Sequence, residues 1–168
     1  MSRRRIMIKL KGFKLYPKPK NIGEGEIHYT EIIDAYRAAF GMNWFTYLIA
    51  LLTGKFQLEN EYYKAIDDEG EELIQMILDA DQGDKEEWVL DWYDCGAFTF
   101  RLMGVFHQNR ETAAMPIYIL WAIWKEHGQR VGHAVISYLK DGVVKIIEPQ
   151  NDEIYMLPFE WLLHLLCG

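Results

Sequence analysis

The first half of the chain carries apolar residues at helical spacing. Thr30 can cap a first helix, which Gly41 can end. A second helix covers the apolar run Trp44–Leu52, and a third begins near Gly70. The apolar residues of this third segment share one helix face: Leu73, Ile74, Ile77 and Leu78. The pattern therefore predicts a helical first half.

The second half begins with one more helix and then changes to strands. Asp94 can cap a helix that runs from Cys95 to about Gln108. The apolar segments that follow are separated by tight turns and predict an antiparallel meander: Ile117–Trp124, Val131–Leu139 and Val143–Glu148. The apolar segment Phe159–Leu166 predicts a final short helix. The fold class is α+β, with a helical first half packed on an antiparallel sheet.

The composition indicates one globular domain over residues 1–168. The 168 residues are the size of one ordinary domain, and 50% of them are hydrophobic, which is ample for a single core. We divide this domain into a basic leading strand and linker over 1–25, a helical part over 26–87, and the Cys95 helix with the sheet over 88–168.

Charge and apolar runs exclude several partners. The net charge is −7 and basic residues concentrate only in Arg3–Lys20, so we expect no nucleic acid partner. The longest apolar runs fall far below the roughly 18 residues that span a bilayer, so we expect no membrane segment. Lys9 and Lys11 interrupt the only segment that resembles a signal peptide. Two cysteines make no disulfide framework, which favours a cytoplasmic location.

Cys95 is a candidate nucleophile because of its predicted position. A cysteine in the first turn of a helix gains thiolate character from the unpaired backbone N–H groups and the helix dipole. The adjacent Asp94 would oppose the thiolate if its carboxylate pointed the same way, but as a helix cap it would point into the helix amides. The sequence leaves both orientations open.

His133 is the candidate base, and its hairpin supplies the candidate orienting groups. A turn at Asp141-Gly142 would pair Val135 with Glu148 and His133 with Gln150, which brings both polar side chains within reach of the imidazole. Alternatives remain open. A histidine in an apolar strand is often a core residue, and a bulge before Pro149 would turn Glu148 into solvent.

Three short segments, one on a predicted helix and two on successive predicted strands, resemble a known family in their order and placement. They are Asp94-Cys95, Gly132-His133-Ala134 and Ile147-Glu148-Pro149-Gln150, and over about Trp88–Tyr155 they resemble the papain-like and transglutaminase-like cysteine peptidase superfamily. Within it, the likeness is to the Cys-His-Glu protease domain of a fungal agglutinin and to related bacterial and phage domains. The resemblance implies a papain-like fold with Cys95 as nucleophile, His133 as base and Glu148 as orienter.

The resemblance also bears on the cleft and on calcium. Papain has a glutamine upstream of its cysteine that helps form the oxyanion hole, and Trp88–Tyr93 contains none. Two alternatives remain open: the backbone N–H of Cys95 serves in its place, or the oxyanion hole is incomplete. Trp92 and Tyr93 could line the cleft. Some members of the agglutinin group are activated by calcium, which makes an acidic loop notable: Asp79, Asp81, Asp84, Glu86 and Glu87. The spacing of these acidic residues does not match an EF-hand loop. The alternative to a calcium site is an acidic loop that is simply solvated. We expect no other cofactor or metal.

Three functional hypotheses follow. The first is a cysteine peptidase or amidase that acts by thiol acyl transfer on a peptide or amide bond, with hydrolysis expected rather than cross-linking. The second is a catalytically inactive papain-like fold that binds a protein or peptide. The third is a self-associating protein whose aromatic surface and apolar carboxyl end form a homodimer interface.

Overall fold

A computed structural model describes residues 9–10, 13–14, 25–89 and 94–168. Within these ranges the helices are α1 Tyr29–Ala39, α2 Trp44–Leu52, α3 Asp68–Ala80 and α4 Cys95–Gln108. The strands are β1 Lys9–Leu10, β2 Phe13–Lys14, β3 Glu26–His28, β4 Phe56–Gln57, β5 Tyr62–Lys64, β6 Ile117–Glu126, β7 Gln129–Lys140, β8 Val143–Ile147, β9 Ile154–Met156 and β10 Leu162–Cys167. Short 3-10 helices cover Gly83–Lys85 and Thr112–Ala114.

Each α-helix begins at a residue whose side chain accepts a backbone N–H from the first turn. These capping residues are His28, Asn43, Asp67 and Asp94. Side-chain acceptors at this position satisfy amide groups that have no partner inside the helix. The cap of α1 is therefore His28 rather than the predicted Thr30.

The main sheet has six strands in the order β4-β10-β6-β7-β8-β9. The pair β4 and β10 is parallel, and the other neighbours in this sheet are antiparallel. Its centre is the long hairpin of β6 and β7, whose turn is formed by His127 and Gly128. Both turn residues have positive φ, at 49° and 80°, which the glycine adopts without steric cost.

Helices cover both faces of this sheet and form two apolar clusters. On one face, Ile32 and Tyr36 of α1 pack in the same cluster as Leu120 and Val135. On the other face, α3 and α4 pack against the sheet through residues that share a second cluster: Ile74, Leu78, Leu102, Phe106, Ile117, Ile136 and Tyr138. Side chains alternate along a strand, so odd-numbered residues of β7 face α1 and even-numbered residues face α4.

The predicted fold is wrong in three respects. The first half is not simply helical, since it also contributes β3 and β5 as a separate antiparallel pair and β4 as an edge of the main sheet. The segment predicted as a final helix forms β10, which pairs with β4 and β6. The meander is part of a mixed sheet rather than an antiparallel sheet of its own. The predicted boundaries of α2 and α4 are confirmed.

Candidate functional site

Cys95 is the first residue of α4, and Asp94 caps that helix. One carboxylate oxygen of Asp94, Oδ1, accepts the N–H groups of Gly96 at 2.9 Å and of Ala97 at 3.2 Å. The carboxylate is therefore directed into the helix amides, which answers the question that the sequence left open. Cys95 is a half-buried free thiol. The backbone N–H groups of the first turn, which have no partner further along the helix, lie next to this residue.

Thr99 fixes the first turn of α4 against β7. Its Oγ1 atom lies 2.7 Å from the Cys95 carbonyl oxygen and 2.8 Å from the Ala134 carbonyl oxygen. A hydroxyl has one proton, so the two carbonyls share a single donor. The helix also approaches the sheet closely at Gly96, where an added Cβ would lie 3.2 Å from the Trp121 ring. The backbone that carries Cys95 is thus held beside the residue that follows His133.

His133 and Glu148 form a direct contact. The Nε2 atom of the imidazole lies 2.7 Å from Oε2 of the carboxylate, and the two side chains are only 18% and 15% exposed. The partial burial of this pair strengthens its electrostatic attraction relative to an exposed pair. Because Nε2 faces the carboxylate, Nδ1 is the ring nitrogen left for another partner.

The loop after β8 explains how Glu148 reaches His133. The predicted register holds for Lys140 with Val143 and for Ser137 with Ile146, and the last described pair is Ile136 with Ile147. The predicted pairs of Val135 with Glu148 and of His133 with Gln150 are absent from this ladder. The chain instead enters a turn in which the Asp152 N–H bonds the Glu148 carbonyl at 2.8 Å.

Gln150 lies in this turn, and its part in the site differs from the prediction. The contact that it makes with Glu148 runs through its backbone N–H, which lies 3.4 Å from Oε1 of the carboxylate. The sequence predicted Gln150 as a second side-chain orienter of His133. In the structure Glu148 contacts the imidazole, and Gln150 contacts Glu148.

The structure does not join Cys95 to His133. Within the described residues no hydrogen bond links the Cys95 sulfur to the imidazole, and alternation along β7 places His133 on the face of α1 rather than that of α4. However, the described pairing of β7 with β8 begins only at Ile136. At His133, β7 instead contacts the side chain of Glu148, which follows the last residue of β8.

Two tryptophans enclose the imidazole, and the sequence did not predict this. The rings of Trp124 and Trp161 stack at 5.3 Å between centroids, and His133 stands edge-on to both, at 6.5 Å and 6.2 Å. The β6–β7 hairpin offered a signal, because it pairs Ala122 with His133 and so makes Trp124 a diagonal neighbour on the same face. Nothing in the sequence indicated that Trp161 lies near His133, because the segment that contains it is predicted as a helix.

The other predicted residues are placed as follows. Trp92 and Tyr93 lie outside the described residues. Asp81 is tied to Arg101 by an ion pair of 2.7 Å, and the Asp79 carboxylate accepts from Gln75. Asp84 lies in a 3-10 helix. In the part of the chain that the structure describes, no three His, Cys, Asp or Glu side chains are grouped to hold a metal ion, and no helix has the length and apolar character to cross a bilayer.

Solved structures share this fold. One is a complex of PSL1a, a Polyporus squamosus lectin, with E64, at a TM-score of 0.66 and 14% identity over 86% of this chain and 51% of that chain. Another is Polyporus squamosus lectin bound to the human-type influenza-binding epitope Neu5Acα2-6Galβ1-4GlcNAc. It has a TM-score of 0.64 and 13% identity, and the match covers 86% of this chain and 50% of that chain. This chain spans about half the length of either structure. No protein-family model and no curated protein matches it.

These structures correct the family assignment. They are described as structures of a lectin, and neither is described as a peptidase. On this comparison the assignment to the papain-like and transglutaminase-like superfamily is wrong, and so are the cysteine peptidase function, the inactive peptide-binding alternative and the expected peptide or protein substrate. At this level of identity the likeness shows the fold alone.

Proposed function

We propose that the chain carries a reactive thiol site in which Cys95 is the nucleophile, His133 takes its proton and Glu148 orients His133. The observation that carries the proposal is the 2.7 Å contact between His133 and Glu148. It is supported by the Thr99 hydroxyl, which links the backbone of Cys95 to that of Ala134, the residue after His133. A nucleophile needs an adjacent base, and the base needs a third group that fixes its orientation. No peptide or amide bond is invoked as the target.

The contact between Nε2 and Glu148 supports Nδ1 as the nitrogen of His133 that accepts the thiol proton. With Nε2 donating its proton to Glu148, the neutral imidazole presents the lone pair of Nδ1. Transfer of the Cys95 thiol proton to Nδ1 then produces a thiolate and an imidazolium, and the Glu148 carboxylate stabilises that imidazolium. The thiolate attacks an electrophilic carbon and forms a carbon–sulfur bond, while the bond between that carbon and its leaving group breaks. The leaving group departs with the electron pair of that bond and can take up the proton held by His133.

One solved neighbour supports this chemistry through its ligand. PSL1a was solved as a complex with E64. E64 carries an epoxide, an electrophile that a thiolate can open with formation of a carbon–sulfur bond. E64 is therefore a suitable second probe for this chain, beside a simple alkylating reagent.

The test measures the rate of iodoacetamide labelling at Cys95 as a function of pH. Cys167, the other thiol in the sequence, is replaced by Ser in every sample, and His133→Ala is compared with His164→Ala, which removes an exposed histidine on β10. We expect Cys95 to be labelled faster at neutral pH than a free cysteine, and His133→Ala alone to abolish that difference in rate. E64 should add once, at Cys95. If the labelling rate of Cys95 were the same in His133→Ala as in the wild type, the proposal would be overturned.

We propose carbohydrate binding as a second candidate, because one neighbour was solved with a sialylated trisaccharide. Exposed aromatic side chains on this chain offer faces for sugar rings: Trp44 at 67%, Phe45 at 68% and Phe159 at 94% exposure. Titration with Neu5Acα2-6Galβ1-4GlcNAc, followed by calorimetry, tests this candidate, with Galβ1-4GlcNAc as the uncharged control. Saturable binding of the trisaccharide supports it, and no heat at millimolar sugar rejects it.

A further inference from the structure

Two aromatic rings meet beside the start of α4. Phe100 belongs to α4 and Trp121 to β6, and their ring centroids lie 6.4 Å apart with the ring planes inclined at 56°. We propose that this pair forms an aromatic subsite next to Cys95, which receives a flat apolar ring carried by the electrophile that the thiol attacks. The inference rests on the proposed function of the thiol site and adds to it the class of group that the substrate presents.

Gly96 lets Trp121 approach the helix start. An added Cβ at this glycine would lie 3.2 Å from Cη2 of the Trp121 ring, which is closer than ordinary van der Waals contact. The tip of the indole therefore packs on backbone that has no side chain of its own. Because Gly96 directly follows Cys95, the indole lies beside the residue that carries the thiol.

Phe100 extends over the same turn of the helix. It lies four residues after Gly96, so the two positions share one helix face. Side chains of an α-helix are tilted towards its N-terminus, and the ring of Phe100 therefore covers the turn that contains Gly96. Its contact with Trp121 agrees with this direction. Both rings thus converge next to Cys95.

The two rings differ in burial, and this difference leaves apolar surface for a ligand. Trp121 is half-buried and packs against the apolar cluster that α3 and α4 form on the sheet, so its position is fixed. Phe100 is 59% exposed. A third ring that packs on this pair removes apolar surface from water, and inclined contacts between rings are favourable at centroid distances of about 4.5–7 Å.

The position next to the thiol determines what occupies the subsite. A group that packs here belongs to the molecule whose carbon reaches the Cys95 sulfur, because the subsite and the sulfur lie on consecutive residues of one helix turn. Both rings are uncharged, and the indole N–H of Trp121 is their one polar group. The subsite therefore favours an apolar ring over a charged or strongly hydrated group.

The test compares two reagents that carry the same reactive group. Iodoacetamide and N-benzyliodoacetamide both transfer their methylene carbon to the thiolate, and in both the iodide leaves with the electron pair of the carbon–iodine bond. The second reagent also carries a ring. The ring preference is the ratio of the two labelling rates at Cys95, benzyl reagent over iodoacetamide, divided by the same ratio for free cysteine. In the protein with Cys167 replaced by Ser, we expect a ring preference of about 3- to 10-fold, the range of one aromatic contact.

Three variants show whether Phe100 produces this preference. Phe100→Ala removes an exposed ring, and we expect the ring preference to disappear. Phe100→Tyr keeps a ring and should restore it. Met156→Ala is the matched control, because it removes a similarly exposed apolar side chain that lies beside Ala35 and Ala38 of α1, away from α4. It should keep the full preference. A preference that persists in Phe100→Ala, or that is lost equally in Met156→Ala, would overturn the inference.

The same two reagents separate this inference from the thiol site itself. The ring preference is a ratio, so it does not depend on how strongly His133 activates the sulfur. If His133→Ala leaves both labelling rates unchanged but Phe100→Ala abolishes the ring preference, the proposed function fails and the subsite stands. If His133→Ala slows both reagents but the ring preference is absent from the starting protein, the proposed function stands and the subsite is rejected.

Discussion

The Nε2 atom of His133 lies 2.7 Å from Oε2 of Glu148, just beyond the point where the ladder between β7 and β8 ends. Because of this contact, the first variant to test is one that removes the charge of Glu148. Glu148→Gln keeps the shape of the side chain and removes its charge, so the imidazolium loses its stabilising partner. We expect labelling of Cys95 at neutral pH to fall by about 10-fold or more, the effect of one opposite charge on a titrating group.

Glu153→Gln is the control for this change. Glu153 lies in the same turn, is exposed, and accepts the Glu148 N–H through its backbone carbonyl, which the substitution leaves intact. It should label like the wild type. If Glu148→Gln also labels like the wild type, Glu148 does not orient His133 in any way that affects the thiol.

Thr99 provides a second test, because it connects the backbone of Cys95 to β7. Thr99→Val conserves the volume and removes the buried hydroxyl that bonds the carbonyls of Cys95 and Ala134. We expect a loss of about 1–3 kcal/mol of unfolding free energy, measured by urea titration, since buried carbonyls lose their donor. Labelling of Cys95 should slow as well, because the first turn of α4 is released from its position.

Thr112→Val matches this change at the other end of α4. The Thr112 hydroxyl is buried and bonds the Phe106 carbonyl at 2.6 Å. This variant should lose a similar amount of stability, about 1–3 kcal/mol, with no effect on Cys95. Equal labelling rates in the two variants would mean that Thr99 contributes stability and nothing specific to the site.

Asp94 offers a third test, since it both caps α4 and brings a negative charge next to the thiol. Asp94→Asn keeps an Oδ1 acceptor for the N–H groups of Gly96 and Ala97, so unfolding free energy should change by only a few tenths of a kcal/mol. Loss of the negative charge next to the thiol should raise the rate of Cys95 labelling at neutral pH. Asp94→Ala, which lacks the acceptor, should cost about 1 kcal/mol. An unchanged labelling rate in Asp94→Asn would show that the carboxylate charge does not affect the reactivity of Cys95.

The sequence predicted the parts of the site that depend on local rules. Asp94 and Cys95 follow the capping rules of a helix start, and the turn at Asp141 and Gly142 determines the register of β7 and β8. These rules were sufficient to anticipate that Glu148 lies near His133. The roles of Cys95, His133 and Glu148 in chemistry stay a prediction.

The sequence failed where partners distant along the chain decide the structure. The run from Leu162 to Cys167 is apolar and short, and such a run reads equally as a buried helix or a buried strand. It is a strand because β4 and β6 lie on either side of it, with an irregularity between Leu163 and Leu165. Trp161 was missed for the same reason, since its position next to His133 follows from this pairing.

Glu71 of α3 gives the last prediction, which concerns stability against acid. Its carboxylate accepts hydrogen bonds from Lys140 at 2.6 Å, from Lys145 and from the Tyr138 hydroxyl at 2.7 Å, and so ties α3 to β7 and β8. The bond from Lys140, followed by that from Lys145, lowers the pKa of Glu71 from 4.5 to about 2. A carboxyl group with a lowered pKa in the folded state stabilises the protein above its unfolded pKa.

That stabilisation is lost as the pH falls from about 4.5 towards 2, where the folded protein takes up the proton. Glu71→Gln does not titrate, so the difference in unfolding free energy between wild type and variant should be constant above pH 5 and should shrink below it. Denaturant titrations at a series of pH values measure this difference. Glu72→Gln, an exposed neighbour on the same helix, should show no such convergence. If Glu71→Gln runs parallel to the wild type through the acid range, the lysine contacts do not persist in solution, and α3 is held by its apolar face alone.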